Sequence, residues 1–430
     1  MRYSGILMLA GGLVVASAAH AVPAPVQIQL AHQLDEERVE RLEPLIEQFN
    51  SQQKDVQVSL VRRVEGDAPK ALNLVTREEY LRFAAKKVQF RPLFEVMREA
   101  KQTLDAAKLS PELTAGLTDS KGRLFALPVA FSTPVLFINK DLFRKAGLNP
   151  DAPPKTWFQT QEVAGKLVDA GVSCPFTTSW PALVHVDNLS AWNGGEVSDA
   201  KGKLTFNGLL QIKHVAMLAT WHKSKYFSYF GRRDEADRRF ANGDCAMLTS
   251  TSAILSRLAE NKSLDYGVAP LPYHDDVQGA PARTLADGAS LWVGSGLKPA
   301  ESKAVASFVN FVLGPETQIN LTLAGGYLPM TPVARAAASS KLLKGDLAVQ
   351  QVAYAELQGK PVVPTVRVSQ VEPVRVIVEE ELETVWANKK PAKEALDDAV
   401  ARGNSVLNVA MAPTLSAAND AGKGSKKRGK

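Results

Sequence analysis

The 430-residue chain contains only two cysteines, Cys174 and Cys245. They are too far apart for a CxxC pair, which excludes a cysteine-built zinc knuckle or dithiol redox motif. No HExxH, GxSxG elbow or P-loop occurs, and no GxGxxG follows a strand-like run, so the common metalloprotease, hydrolase, nucleotide and dinucleotide signatures are absent. Six histidines, one of them in the first twenty-one residues, are scattered without ligand spacing, and no bound metal or cofactor is expected. The acidic runs Glu36-Glu37 and Glu379-Glu380-Glu381 fall on helical stretches and read as solvated faces. With no nucleophile and base pair in view, the chain is not expected to be an enzyme. Beyond the first residues, no apolar stretch approaches the roughly 20 residues a membrane-spanning helix needs.

What is present begins with an export leader. Arg2 supplies a positive start, Ile6 to Val15 an apolar run, and Ala19-His20-Ala21 a small-x-small cleavage site, so residues 1–21 are expected to be removed and the mature chain to begin near Val22. This shape fits a Gram-negative periplasm, where Cys174 and Cys245 could form one disulfide or remain two buried thiols. The net charge of +6 resembles that of a nucleic-acid binder until it is located. Arg2 leaves with the leader. From residue 413 onward Lys423, Lys426, Lys427, Arg428 and Lys430 face only Asp420. The remaining body is close to neutral, so no nucleic acid is expected as a partner, and 413–430 reads as a disordered basic tail.

The body alternates strand and helix signals. Val26 to Ala31 and Val56 to Val61 read as strands flanking a helix over Asp35 to Gln53, whose Val39, Leu42, Ile46 and Phe49 share one face. That order predicts a parallel α/β sheet. Ala68 to Val75 is strand-like, Glu78 to Lys87 helical, and Val135 to Asn139 another strand. Further on, Thr156 caps a helix over Trp157 to Ala170. Strands are expected over Phe240 to Ala246, Tyr266 to Pro270 and Leu291 to Val293. Helices are expected over Lys298 to Leu313, Pro315 to Leu323, Arg375 to Trp386 and Pro391 to Val409. A mature chain of roughly 410 residues exceeds what one core serves, so two domains are predicted.

Several segments, in order, carry a family resemblance: Ser132-Thr133-Pro134-Val135-Leu136, Pro153-Pro154-Lys155-Thr156-Trp157, Ser190-Ala191-Trp192-Asn193-Gly194, Asn242-Gly243-Asp244-Cys245-Ala246-Met247, Gly288-Ala289-Ser290-Leu291-Trp292-Val293, Gly326-Tyr327-Leu328-Pro329 and Arg375-Val376-Ile377-Val378. From about Ser132 to Asn404 the chain resembles the extracellular solute-binding proteins of ABC importers (family 1), and among them the glycerol-3-phosphate binders. The resemblance implies a two-lobed, type II periplasmic-binding-protein fold, with the ligand in a cleft between lobes joined by hinge crossings. It places residues 22–131 and 286–327 in an N-terminal lobe, and 132–285 and 328–412 in a C-terminal lobe. A monomer delivering a phosphorylated polyol or sugar to an inner-membrane ABC permease is expected.

The same resemblance assigns site residues. Arg375 would meet the ligand phosphate, since a guanidinium makes paired charge-assisted hydrogen bonds. Gly288 would let bare backbone approach the ligand. Ser132 and Tyr327 would offer hydroxyls, Thr251 stands where the family has serine, and Trp157 and Trp180 would line the cleft. Leu183 stands where a second cleft tryptophan would be. The first lobe departs further. The family's tyrosine-bearing segment and helix after the second strand are missing, because Leu60 passes through Val61-Arg62-Arg63-Val64 almost directly to Ala68-Pro69. Val75-Thr76 replaces a Tyr-Glu pair for the glycerol hydroxyls, with Glu78 or Glu79 as substitutes. The alternative implied is a paralogue with an altered sugar ligand or little binding, acting as an envelope interaction or sensory protein.

Overall fold

A computed structural model describes residues 24–33, 36–64, 67–76, 89–114, 117–119, 121–199, 202–280, 284–340, 344–357 and 372–411. The leader, the helix expected over 78–87 with Glu78 and Glu79, and the basic tail lie outside the described residues. Among the described residues, no helix is long and apolar enough to cross a membrane.

Among the described residues, eleven strands form two sheets. The first has the order β2-β1-β3-β11-β4, with β5 also on β11. It combines β1 (Val26–His32), β2 (Val56–Arg62), β3 (Leu72–Thr76), β4 (Phe90–Arg91), β5 (Leu127–Ser132) and the late β11 (Asp287–Gly294). The helix α1 (Glu36–Gln52) joins β1 to β2, which are parallel from Val26↔Val56 to His32↔Arg62, as the strand-helix-strand spacing predicts. Strand β11 runs antiparallel to β3, β4 and β5. The second sheet has the order β10-β6-β9-β7-β8. Its strands are β6 (Pro134–Asn139), β7 (Cys174–Thr178), β8 (Phe227–Ser228), β9 (Cys245–Thr251) and β10 (Tyr266–Ala269).

The link from β2 to β3 explains how the first lobe tolerates its short connection. Parallel strands ordinarily need a crossover of a dozen or more residues, yet only residues 63–71 separate these two. The register removes the difficulty: β3 begins at Leu72 opposite Leu30, near the C-terminal end of β1. The chain therefore never returns to the far edge of the sheet, and no crossover helix is required.

Each sheet has its own core. Phe49 of α1 packs edge-on against Phe308 (5.1 Å) and beside Phe311 (5.2 Å). Both belong to a later helix, Pro299–Leu313, which covers β1 and the helix α2 (Leu93–Glu99). On the second sheet, α3 (Trp157–Asp169) starts where expected because the Thr156 hydroxyl accepts the Gln159 amide at 3.1 Å. It packs with α4 (Leu209–Lys223), α5 (Glu372–Trp386) and α6 (Ala392–Met411) around Phe176, Trp221, Phe227 and Trp386. The opposite face of that sheet buries Phe137, Phe240, Leu248 and Val349.

Two sequence readings are corrected. Phe240 does not open a strand. It lies in the helix Glu235–Ala241, and the chain turns at Gly243 (φ 87°) before β9 starts at Cys245. Nor is the Glu379-Glu380-Glu381 run a solvated face. Glu379 and Glu381 are 1% and 4% exposed. Glu381 accepts from Lys390 Nζ at 2.9 Å and Arg402 Nη1 at 2.6 Å, and Arg402 Nη2 also reaches Glu380 at 2.5 Å, clamping α5 to α6.

Cys174 and Cys245 open the adjacent parallel strands β7 and β9, are paired in register with Cα atoms 4.6 Å apart, and are joined in a disulfide. A bridge closing a loop of this length (sequence separation 71) removes chain entropy from the unfolded state worth up to about 4 kcal/mol. The Cys174→Ser/Cys245→Ser variant is therefore expected to unfold at lower urea, by up to that amount. An unchanged midpoint would show that the bridge contributes nothing.

Candidate ligand-binding site

In α/β sheets, ligands collect beyond the carboxyl ends of the parallel strands. In the second sheet, those ends are Thr178 of β7 and Thr251 of β9, with Pro134 opposite Thr251 at the start of the antiparallel β6. In the first sheet they are His32, Arg62 and Thr76. The Arg63 amide donates to His32 O at 2.8 Å, and its guanidinium reaches Leu74 O at 3.4 Å, which ties β1 to β3 at that edge.

Among the described residues, three chain passages interlock at this edge: the step from β5 to β6, the entry to β11, and residues 326–328. Ser132 lies opposite Asp287, and Gly288 opposite Phe131, where β5 meets β11. The Leu328 amide donates to Phe131 O at 2.8 Å, and the Ser252 amide to Thr133 O at 2.7 Å. A Cβ on Gly326 would lie 2.4 Å from Ser252 O. Ser132, Thr251, Gly288 and Tyr327 are thus carried on backbone segments packed against one another. The Tyr327 ring lies against Gly325, where a Cβ would come within 2.3 Å of it. Arg375, in the first turns of α5, brings Nη2 within 3.2 Å of Asp287 Oδ2, and its side chain is 9% exposed.

The structure sharpens the part played by Gly288. A Cβ there would sit 1.9 Å from Ala130 O, so the neighbouring strand alone already demands glycine. Trp180, two residues beyond β7, is half-buried and adopts a left-handed backbone (φ 53°), rare for a bulky residue. Its amide donates to Arg233 O at 3.0 Å, and the Arg233 guanidinium lies 5.5 Å from its ring centroid. Beside it, the Ser179 hydroxyl donates to the buried Asp237 at 2.6 Å. Burial pushes the Asp237 carboxyl up to about 7.

Trp157 is not brought to this group. It opens α3 on the face shared with Thr160, Ala164 and Leu167, and that face is buried. Its ring is enclosed by His214 (4.7 Å), His185 (5.5 Å), Phe176 (6.1 Å) and Trp221 (6.3 Å). Helix-to-sheet packing accounts for it, so the assignment of Trp157 to the cleft wall is corrected.

Three of the histidines read as scattered form one chain. His185 Nδ1 lies 3.0 Å from His214 Nε2, and His214 Nδ1 lies 3.1 Å from His274 Nε2. Desolvation holds His185 at about 3 and His214 well below its ordinary value. The rings follow one another rather than converge, and no group of side chains able to hold a metal occurs among the described residues. Asp287, Asp237 and this chain escaped the sequence reading. Only Asp287, next to Gly288, carried a local hint.

Residues 45–348 match the family model of the bacterial extracellular solute-binding proteins. The chain belongs to that family, and its fold is the two-lobed, type II periplasmic-binding-protein fold. More particularly, it is homologous to the periplasmic sn-glycerol-3-phosphate-binding proteins UgpB. It is 34% identical to the Pectobacterium atrosepticum protein over 89% of this chain and 92% of that one. It is 34% identical to the Escherichia coli K12 protein over 93% and 96%. Among solved structures, UgpB from Mycobacterium tuberculosis in complex with glycerophosphocholine superposes with a TM-score of 0.73 at 21% identity, covering 90% of this chain and 99% of that one. Maltose-bound Thermotoga maritima MalE3 gives 0.71 at 17% identity, covering 89% and 100%.

The buried titratable groups set a pH dependence. His185 and His214 have folded pKa values below the unfolded one, so unfolding takes up protons and stability falls as pH drops below about 6.5. Asp237 is raised, which works in the opposite sense between about 4 and 7. The two fully buried histidines outweigh one carboxyl, so the net loss from pH 6.5 to 5 is about 1.5 kcal/mol. Urea titrations should show this fall, and Asp237→Asn should steepen it. A flat profile in both proteins would show that the imidazoles are not held neutral.

Proposed function

We propose that this chain is the binding component of an ABC importer. Exported to the periplasm, it takes a phosphorylated polyol, such as glycerol-3-phosphate or a glycerophosphodiester, and delivers it to an inner-membrane permease. The observation that carries the reading is Arg375: a guanidinium at the edge where both sheets end and all three passages meet, on the helix the family resemblance assigns to the phosphate. Ser132, Thr251, Gly288 and Tyr327 lie on the interlocked passages beside it, and we assign them to the site with Trp180. The lobes we propose divide at the passages, with 22–131 and 286–327 on one side and 132–285 and 328–412 on the other. A ligand bridging them stabilises the closed arrangement through its contacts to both.

The short 63–71 link and Val75-Thr76 leave the first lobe with fewer polar groups for glycerol hydroxyls. Each lost hydrogen bond to a carboxylate costs more than about 1 kcal/mol, so glycerol-3-phosphate should bind tens- to hundreds-fold more weakly than it does to a complete site.

Thermal unfolding tests the reading. A ligand at a hundredfold excess over its Kd adds about 2.7 kcal/mol of stability, and Arg375→Ala should abolish the shift. If no phosphate ester moves the midpoint of the wild-type protein, or if the variant responds equally, the phosphate reading is wrong. Response to maltose alone would reassign the site to an uncharged sugar.

A further inference from the structure

Arg375 is paired with a carboxylate. Asp287 is the first residue of β11, opposite Ser132 on β5, and its Oδ2 accepts from Arg375 Nη2 at 3.2 Å. Its side chain is more exposed than that of its partner, 19% against 9%, so the carboxylate is the more accessible member of the pair that a ligand on Arg375 would meet. A site built to attract the most negative ligand would not place a carboxylate on its anion anchor.

We infer that Asp287 is a charge filter that makes the site select phosphodiester monoanions over phosphomonoester dianions. The inference rests on the reading of Arg375 as the phosphate anchor. A phosphate bound to that guanidinium has its oxygens within several ångströms of the Asp287 carboxylate. A diester brings one negative charge there, whereas a monoester, whose second ionisation falls near pH 6, brings almost two at pH 7.5. The additional repulsion acts in a partly desolvated cleft, where like charges at this separation change binding by about tenfold or more. Asp287 is thus a specificity-determining residue rather than a second phosphate ligand.

The test is calorimetric titration at pH 7.5 of the full-length mature protein with glycerol-3-phosphate and with glycerophosphoglycerol, a diester whose second alcohol is uncharged. Using an uncharged alcohol keeps headgroup attraction out of the comparison. The wild-type protein is expected to bind the diester at least about tenfold more tightly, and Asp287→Asn, which keeps the shape and removes the charge, should shrink that ratio to within a few-fold by strengthening the monoester. Equal affinities in the wild-type protein overturn the filter whatever the variant does. So does an Asp287→Asn protein that keeps the full ratio. In both cases loss of binding in Arg375→Ala leaves the phosphate reading standing. If neither ester binds the wild-type protein, the anchor itself is misassigned and the filter falls with it.

Discussion

The close packing of the three interlocked passages is the constraint on which the rest of the structure depends. Where β5 leaves the first sheet, where β11 re-enters it, and where the chain turns at Gly326, backbone lies directly on backbone. Gly288 and Gly326 show how tight this is: added Cβ atoms would lie 1.9 Å from Ala130 O and 2.4 Å from Ser252 O. Real Cβ atoms do not approach that closely, so glycine is dictated before any ligand is considered. Hydrogen bonds from Leu328 and Ser252 then fix the passages to Phe131 and Thr133. Packing this tight leaves Ser132, Thr251 and Tyr327 on backbone with little room to shift.

The polar groups behind the hinge follow from the same economy. Asp287 and Arg375 tie β11 to α5, and α5 is in turn clamped to α6 through Glu380, Glu381 and Arg402. The Tyr229 hydroxyl and the Arg232 guanidinium both donate to Glu383, at 2.9 and 2.5 Å, which adds the β8 segment to that block. Removing one member of such a network would strand a partly desolvated charge, which costs more than the pair contributes when intact. The position of Arg375 on α5 is therefore held by residues on α6 and beside β8 as well as by Asp287.

The fold was legible in the sequence where one face of an element is uniformly apolar. The helix α1, the helix Pro299–Leu313, and the strands β1, β2 and β6 read correctly because Val, Leu, Ile and Phe recur at the right period. The helix α4 did not, because its buried face includes Gln211 and His214, polar residues that hide the periodicity. The acidic run on α5 misled for the complementary reason. Its cations, Lys390 and Arg402, come from the following turn and helix, and nothing local announces them. Trp157 carried the right motif but the wrong role: a motif fixes where the chain starts a helix, while the side chain points wherever the shared face of Thr160, Ala164 and Leu167 directs it. Of the candidate site, the residues on the passages could be named from the resemblance. Asp287 could not, since its meaning depends on a partner 88 positions away.

The histidine chain shows why a binding lobe tolerates buried imidazoles at all. Each neutral ring can donate from one nitrogen and accept at the other, so a line of rings satisfies its inner members without any charge. His214, in the middle, meets a ring at both ends, while His185 Nε2 terminates the line in apolar surroundings without a partner. The outer ring is anchored by its backbone: the His274 amide donates to Asn193 Oδ1 at 3.0 Å. Two neighbours extend this anchoring toward the hinge. Trp192 Nε1 donates to Thr284 Oγ1 at 2.9 Å, and the Leu285 amide to Asn188 Oδ1 at 2.8 Å. Thr284 and Leu285 immediately precede the passage that carries Asp287. The short helix Leu189–Asn193 and the Asn188 before it therefore join the imidazole line to the strand that bears the carboxylate beside Arg375, so packing deep behind the second sheet helps fix where that carboxylate stands.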